Sequence, residues 1–348
     1  MKISRGRLSP AILLLFTNLV FILGFSPSVL AASWGEKVVF NVDPAYDAVG
    51  REKISATLRQ IGQRAYFYVE DEWWQSLTAS QQISVENSLN SLSREFDQVI
   101  YPKMTFVYGS EWKPGIDNDE KITILVTKMI EGAGGYFNNS NQYPKSQVPS
   151  SNEREMVYLN ALYITNSGAP AFLAHEFQHL ITFYQKTKLH NLEEEYWLNE
   201  ARSEFAPTLL GYDSPYAGSN LEKRVKTFLG RPSDSLTEWR NEAGDYGVVN
   251  LFIQYLVDHY TTRILTLMTQ NNKVGIASIE AALGALGTSE TFADIFTNWT
   301  ITNYLNDCSL LASQKYCYLN SNLTYKRLRV EPTATYILGS GSLEIGSW

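Results

Sequence analysis

Histidine, methionine and cysteine, which supply nitrogen and sulfur ligands to metals, are scarce in this chain. Among 348 residues there are four histidines, five methionines and two cysteines. Neither Cys308 nor Cys317 has a close Cys-x-x-Cys partner, which excludes a structural zinc site built on cysteine pairs. In an oxidising compartment, two cysteines this close together predict one disulfide that closes a short loop.

Long apolar runs are missing after the first 32 residues. Those 32 residues hold three basic side chains, the apolar stretch 11–25, and small residues at Ala31 and Ala32. This order is typical of a signal peptide, and the apolar stretch is shorter than the roughly 20 residues that span a bilayer. We therefore expect residues 1–32 to be a signal peptide. The mature protein is then secreted, soluble and without membrane contact.

Positive charge is in deficit. The chain has 29 basic and 36 acidic residues, and losing the three basic residues of the signal peptide changes the net charge from −7 to −10. Such a surface argues against nucleic acid or anionic membranes as partners. We expect a monomer.

Two of the four histidines stand four residues apart in an apolar run. His175 and His179, with Glu176 beside the first, form the pattern His-Glu-Phe-Gln-His. On a helix this spacing directs both imidazoles to one face, where they can share a metal ion. Glu176 lies at the edge of that face and can act as a base on a water molecule. The alternative is a buried helix whose histidines only make hydrogen bonds in the core.

The next segment offers a third ligand. With Asn191 as N-cap and acidic residues in the first turn, the pattern predicts a helix over residues 192–210. Glu200 and Glu204 then lie on one face, where like charges repel unless a cation compensates. We predict Glu200 as the third zinc ligand and Glu204 as the acceptor of a ligand histidine's second ring N–H. A solvated acidic face is the alternative, but it leaves both glutamates among apolar residues without a reason.

These residues resemble a known group of enzymes. His175-Glu176-x-x-His179 followed by Asn199-Glu200-Ala201-x-Ser203-Glu204 is similar to the gluzincin metallopeptidases, and the wider Trp-Leu-Asn-Glu-Ala pattern resembles the hyicolysin-like family of secreted bacterial peptidases. The resemblance implies a thermolysin-like zincin fold, bound Zn²⁺ and a protein or peptide substrate. In thermolysin an Asp stands where this chain has Glu204.

The chemistry implied is metal-assisted hydrolysis. Zinc activates a water molecule, and Glu176 takes its proton and passes it to the departing amine. The resemblance also implies Tyr246 as the residue that stabilises the oxyanion. His259 is an alternative donor, and a structural role for Tyr246 in packing or capping its helix is the other interpretation. His190 follows the metal helix, where it can satisfy the last carbonyl groups.

Two other function classes fit the same residues. A zinc aminopeptidase would use the same ligands and an additional acidic group that binds the substrate's free amino terminus. A secreted binding protein could keep the fold and the metal without catalysis, although the base and all three ligands are then unexplained.

Periodicity predicts an α+β chain in which strands precede the metal helix. We expect an N-terminal lobe with a mixed sheet over 33–211, a helical lobe over 212–307, and a C-terminal tail over 308–348 that is strand-like from residue 324. The strands are predicted at 37–42, 66–69, 121–127 and 156–160, and the helices at 79–100, 167–188, 192–210, 220–229, 246–269, 276–286 and 290–305.

Two segments of the first lobe carry further hypotheses. The glycine-rich stretch 132–136 is either an edge strand that pairs with an extended peptide or a connecting loop. The acidic stretch 117–120 offers oxygen ligands for Ca²⁺, although the full loop pattern of a calcium hand is missing.

Overall fold

A six-stranded mixed sheet forms the first part of the fold. The computed structural model describes residues 32–331, so residues 1–31 of the predicted signal peptide and residues 332–348 of the predicted tail lie outside it. The strands are β1 (Lys37–Asn41), β2 (Lys53–Ile61), β3 (Ala65–Glu70), β4 (Ile122–Thr127), β5 (Gly135–Phe137) and β6 (Met156–Asn160). Their order is β1-β2-β3-β4-β6-β5, in which β3, β4 and β6 run parallel and the other pairs are antiparallel.

Alternation along β3 gives the sheet two buried faces. Phe67 and Val69 belong to the large apolar cluster under the helices, whereas Tyr66 and Tyr68 belong to a smaller cluster on the opposite face. Successive side chains of a strand point to opposite faces, so an aromatic-rich strand buried on both sides needs apolar residues throughout. This central strand therefore fixes the sheet between two cores.

Most of the helices come after the last strand in the sequence. They are α1 (Asp71–Ser76), α2 (Ala79–Glu95), α3 (Tyr101–Tyr108), α4 (Ala169–Thr182), α5 (Tyr196–Leu210), α6 (Asn220–Gly230), α7 (Ala243–Tyr260), α8 (Arg263–Gln270), α9 (Gly275–Leu286) and α10 (Phe292–Leu305). The predicted α+β class is confirmed. Within residues 32–331, no helix is both long enough and apolar enough to cross a bilayer.

The helix predicted over 192–210 begins later than expected. Asn191 has a positive φ of 55° and is not the N-cap, and α5 starts at Tyr196. The preceding turn is used instead to bury Glu194, whose carboxylate accepts hydrogen bonds from Arg202 Nη1 at 2.9 Å and from Gly275 N at 2.8 Å. A buried ion pair therefore takes precedence over the helical propensity of three successive glutamates.

Other differences have local causes. The helix predicted over 246–269 is two helices, because Thr261 adopts a φ of 59° between α7 and α8. Strand β2 was not predicted, and residues 96–100 form a π-helical turn between α2 and α3. A π turn shifts the register of the helix and lets the apolar face continue under the sheet.

The C-terminal region is closed by the predicted disulfide. Cys308 and Cys317 are bonded to each other, which confirms that expectation. Residues 324–331 contain turns and no strand, and the rest of the predicted strand-like tail lies outside the described residues. One apolar cluster extends from β3 to Leu328, which shows that the regions on either side of residue 211 share a core.

A buried carboxyl group at the start of β6 leads to a prediction about stability. Burial is the largest cause that raises the pKa of Glu155, and with Asp117 nearby it reaches about 8 despite the hydrogen bond from Ile116 N and the charge of Lys188. This pKa lies above the value of the unfolded chain, so the folded state loses stability as the pH rises. The contribution of the protonated group is fully present at low pH and is lost as the pH rises through about 8. We expect Glu155→Gln, which can still accept from Ile116, to be more stable relative to wild type at pH 9 than at pH 5.

Urea unfolding followed by tryptophan fluorescence at pH 5, 7 and 9 measures this difference. Glu280→Gln, which changes an exposed carboxylate on α9, is the matched control. The same difference in unfolding free energy between Glu155→Gln and wild type at every pH would contradict the prediction.

Candidate metal centre

Helix α4 presents the two histidines and the glutamate between them. His175 and His179 are one turn apart, and their Nε2 atoms lie 3.2 Å from each other. Glu176 and His179 are buried, and His175 is partly exposed to the cleft. The helix begins at Ala169 with Pro170 in its first turn, where the missing N–H of proline costs nothing.

Helix α5 packs against α4 and brings Glu200 to the same point. Glu200 Oε2 lies 3.3 Å from His175 Nε2, and Glu200 Oε1 lies 3.4 Å from His179 Nε2. In the described part of the chain, these are the only three His, Cys, Asp or Glu side chains that converge closely enough to hold one metal ion. The two predicted helices therefore bring together the three predicted ligands.

The spacing of these atoms fits a tetrahedral ion. Ligand atoms about 2.0–2.1 Å from a tetrahedral centre lie about 3.3 Å from one another. The two Nε2 atoms are 3.2 Å apart, and they lie 3.3 and 3.4 Å from different Glu200 oxygens, Oε2 and Oε1 respectively, so each pair is close to that value. In addition, Glu200 Oε2 is buried and makes no hydrogen bond among the described residues. A cation would satisfy an acceptor that otherwise carries a desolvation cost.

Glu204 lies behind His175 as predicted, but it also has a partner that the sequence did not indicate. Its Oε1 is 3.5 Å from His175 Nδ1. Arg224 donates to both carboxylate oxygens at 2.6 Å, and Asn220 adds a hydrogen bond at 2.9 Å. Helix α6 therefore fixes the carboxylate that lies next to His175 Nδ1.

Ser203 orients the other histidine. Its hydroxyl donates to Gln178 Oε1 at 2.6 Å and lies 3.1 Å from His179 Nδ1. The hydroxyl proton has two carbonyl acceptors, Gln178 Oε1 and the Asn199 main-chain oxygen at 3.1 Å, so Ser203 accepts from the His179 Nδ1–H. The lone pair of His179 is then on Nε2, the atom that faces Glu200 and His175.

The surroundings shift the pKa values of four side chains at the site. Burial lowers the pKa of His179 to about 4, whereas for His175 the carboxylates, Glu200 foremost, outweigh burial and raise the pKa to about 9. Burial raises the pKa of Glu176 to about 8. For Glu204, burial is opposed and outweighed by the charge and hydrogen bonds of Arg224, which lower the pKa to about 2.

A cleft of about 740 Å³ opens over these side chains, and strand β5 lies on its rim. The glycine-rich stretch is thus partly strand, and β5 is at the edge of the sheet. Gly135 must be glycine here, since a Cβ would lie 2.5 Å from the Tyr158 carbonyl and 2.9 Å from Glu176 Cγ. The edge strand therefore contacts the candidate base directly.

The other predicted site residues have different positions. Tyr246 lines the cleft, and its hydroxyl donates to Asn241 Oδ1 at 2.9 Å. His259 lies instead against the disulfide loop, with Nε2 3.0 Å from the Cys317 carbonyl, and His190 contacts the Gln270 carbonyl. Of the two oxyanion candidates, only Tyr246 is a cleft residue.

The acidic stretch 117–120 is not among the converging metal ligands of the described residues. Asp117 accepts from Asp119 N, and Asp119 accepts from Lys121 N and from the Tyr66 hydroxyl. Its carboxylates thus shape a turn, and calcium binding there stays a prediction.

Several supporting residues were missed in the sequence. Ser203 could have been found, because it shares the face of α5 with Glu200 at a spacing of three residues. Arg224 and Asn220 come from a later segment, and no local pattern marks them. No protein-family model matches this chain, and a search of curated proteins finds no match.

Proposed function

We propose that this protein is a secreted zinc-dependent endopeptidase of the gluzincin type. The observation that carries the proposal is the convergence of His175, His179 and Glu200, with the two Nε2 atoms 3.2 Å apart, each within 3.4 Å of a Glu200 oxygen, and Glu176 next in sequence to His175. Two nitrogen ligands and one carboxylate, with a fourth position open to a cleft, are typical of catalytic zinc and not of structural zinc.

The proposed reaction is hydrolysis of a peptide bond. A zinc ion at this site would lower the pKa of a water molecule toward 7 and polarise the substrate carbonyl. Glu176 takes a proton from the attacking water and delivers it to the amine nitrogen as the C–N bond breaks. Its burial supports this role, because burial raises the pKa of Glu176 and so favours uptake of a proton by the carboxylate.

The cleft supports an extended peptide as the substrate. Its volume of about 740 Å³ exceeds the space needed by a single amino acid. Strand β5 borders the cleft and has no neighbouring strand on its outer side among the described residues. An extended peptide can pair with such an edge through main-chain hydrogen bonds.

Metal analysis combined with a peptide assay tests the proposal. We expect the purified protein to contain about one zinc ion per chain. It should cleave an internally quenched peptide whose amino terminus is acetylated. Removal of zinc with a chelator should abolish cleavage, and added zinc should restore it.

The outcomes separate the alternatives. Cleavage only of peptides with a free amino terminus would indicate an aminopeptidase. Bound zinc without any hydrolysis would indicate a binding protein, and hydrolysis that survives complete metal removal would contradict the proposed chemistry.

A further inference from the structure

A second tyrosine, Tyr46, lines the cleft of the candidate metal centre and comes from the N-terminal part of the chain. Tyr46 lies in the turn between β1 and β2, far in sequence from both metal helices. Its side chain lines the same cleft as His175, Glu176 and Tyr246. Tyr46 is half-buried, so the ring is held by the protein while part of it faces the cleft.

The turn that carries Tyr46 is fixed by main-chain hydrogen bonds. The Tyr46 carbonyl accepts from Ile130 N at 2.9 Å, and Ala48 N donates to the Lys128 carbonyl at 3.2 Å. Asp47 and Met129 form an isolated bridge between the same two segments. The turn is thus bound to the segment that leads into β5, the strand on the rim of the cleft.

The ring of Tyr46 is fixed as well. It stacks on Tyr136 with centroids 4.6 Å apart and an interplanar angle of 18°. Tyr136 in turn stacks on Tyr158 at 4.0 Å and 10°, and its hydroxyl accepts from Asp43 N. Stacked aromatic rings restrict side-chain rotation, so the hydroxyl of Tyr46 has a defined position before a substrate binds.

The two tyrosine hydroxyls of the cleft differ in their partners. That of Tyr246 is engaged with Asn241, whereas that of Tyr46 makes no hydrogen bond among the described residues. Tyr46, Glu176 and Glu200 line the same cleft, and burial followed by the charges of these two carboxylates raises the pKa of Tyr46. A protonated hydroxyl without a partner is available as a donor.

We infer that Tyr46 is a further catalytic residue, whose hydroxyl donates a hydrogen bond to the carbonyl oxygen of the peptide bond that is cleaved. This inference rests on the proposed function. As the water oxygen bonds to the carbonyl carbon, the carbonyl electron pair moves to the oxygen and Glu176 takes the proton. Tyr46 keeps its own proton throughout and stabilises the charge that forms on that oxygen.

Tyr46→Phe is the direct test, because phenylalanine keeps the stacked ring and removes only the hydroxyl. With the acetylated quenched peptide, we expect kcat to fall about 10²-fold, as for loss of one oxyanion donor, while KM changes less than about 2-fold. A phosphonamidate peptide that mimics the tetrahedral state should bind more weakly by the same factor. Zinc content and melting temperature should match those of wild type.

Tyr184→Phe is the matched control. Tyr184 is also half-buried, does not line the cleft, and its hydroxyl makes no hydrogen bond among residues 32–331. Its variant should retain the wild-type kcat.

Each remaining outcome would overturn the inference. If wild type is active and Tyr46→Phe is equally active, the inference about Tyr46 is overturned, and the proposed function stands. Loss of zinc or a lowered melting temperature in Tyr46→Phe would assign the hydroxyl to packing of the turn. A zinc-loaded wild type that cleaves no peptide would remove the proposed function and this inference together.

Discussion

Replacing Glu176 with glutamine is expected to lower kcat by about 10²–10⁴-fold while zinc stays bound, since that is the contribution of general acid–base catalysis. The amide has the shape of the carboxyl group but cannot take a proton from water. The three candidate ligand atoms belong to His175, His179 and Glu200, and the substitution changes none of them. The variant therefore separates proton transfer from metal binding.

The shape of the side chain matters because Glu176 is confined. It is 6% exposed and lies against Gly135, where even an added Cβ would be 2.9 Å from its Cγ. Glutamine fits the same space, whereas aspartate would shorten the reach and alanine would leave a cavity beside the metal site. Glutamine is for this reason the cleanest substitution at this position.

The measurement is kcat on the acetylated peptide together with zinc content for wild type, Glu176→Gln and Glu280→Gln. The last variant makes the same chemical change at an exposed position on α9 and should keep full activity. Glu176→Gln that binds zinc and still cleaves at the wild-type rate would show that another group accepts the proton.

The part of the site that could be predicted is the part that helical periodicity places. His175 and His179 share a face because they are four residues apart, and the same holds for Glu200 and Glu204. Both pairs meet because α4 and α5 are neighbours in sequence and bury apolar residues against each other. Local spacing and one helix–helix contact therefore suffice for the three ligands and for Glu204.

The rest depends on contacts between distant segments. Arg224 is 20 residues beyond Glu204 and reaches it only because α6 packs beside the metal helices. Tyr46 reaches the cleft because the β1–β2 turn hydrogen-bonds to residues 128–130. Neither contact follows a period in the sequence, and one of 21 tyrosines has no local signature that distinguishes it.

The start of α5 shows that contacts between distant segments also limit prediction of the fold. Three consecutive glutamates suit the first turn of a helix, and this preference predicts a helix that begins at residue 192. The chain instead turns at Asn191 and buries Glu194 against Arg202 and Lys186, both fully buried. Breaking such a pair leaves an uncompensated charge in the core, a cost larger than that of a few lost helical residues.

Replacing Glu200 with glutamine is expected to remove both zinc and activity. An amide oxygen carries no charge and is a poor ligand for zinc, which prefers nitrogen, thiolate and carboxylate donors. Loss of an outer partner of a metal ligand already costs about 10–100-fold in affinity, so loss of a direct ligand should cost at least about 10²-fold. The Glu204 carboxylate is not free to replace Glu200, because it is held by Arg224 and Asn220.

Zinc titration and thermal unfolding distinguish this variant from Glu176→Gln. Zinc binds the folded state, so it should raise the melting temperature of wild type and of Glu176→Gln, and it should leave that of Glu200→Gln unchanged at the same concentration. Glu280→Gln again serves as the control and should respond as wild type does. Zinc binding by Glu200→Gln with wild-type affinity would mean that the ion is held elsewhere and that the convergence of His175, His179 and Glu200 has another cause. Loss of zinc binding in Glu200→Gln, together with retained zinc and lost activity in Glu176→Gln, would assign the two carboxylates separate roles: Glu200 holds the metal, and Glu176 transfers the proton.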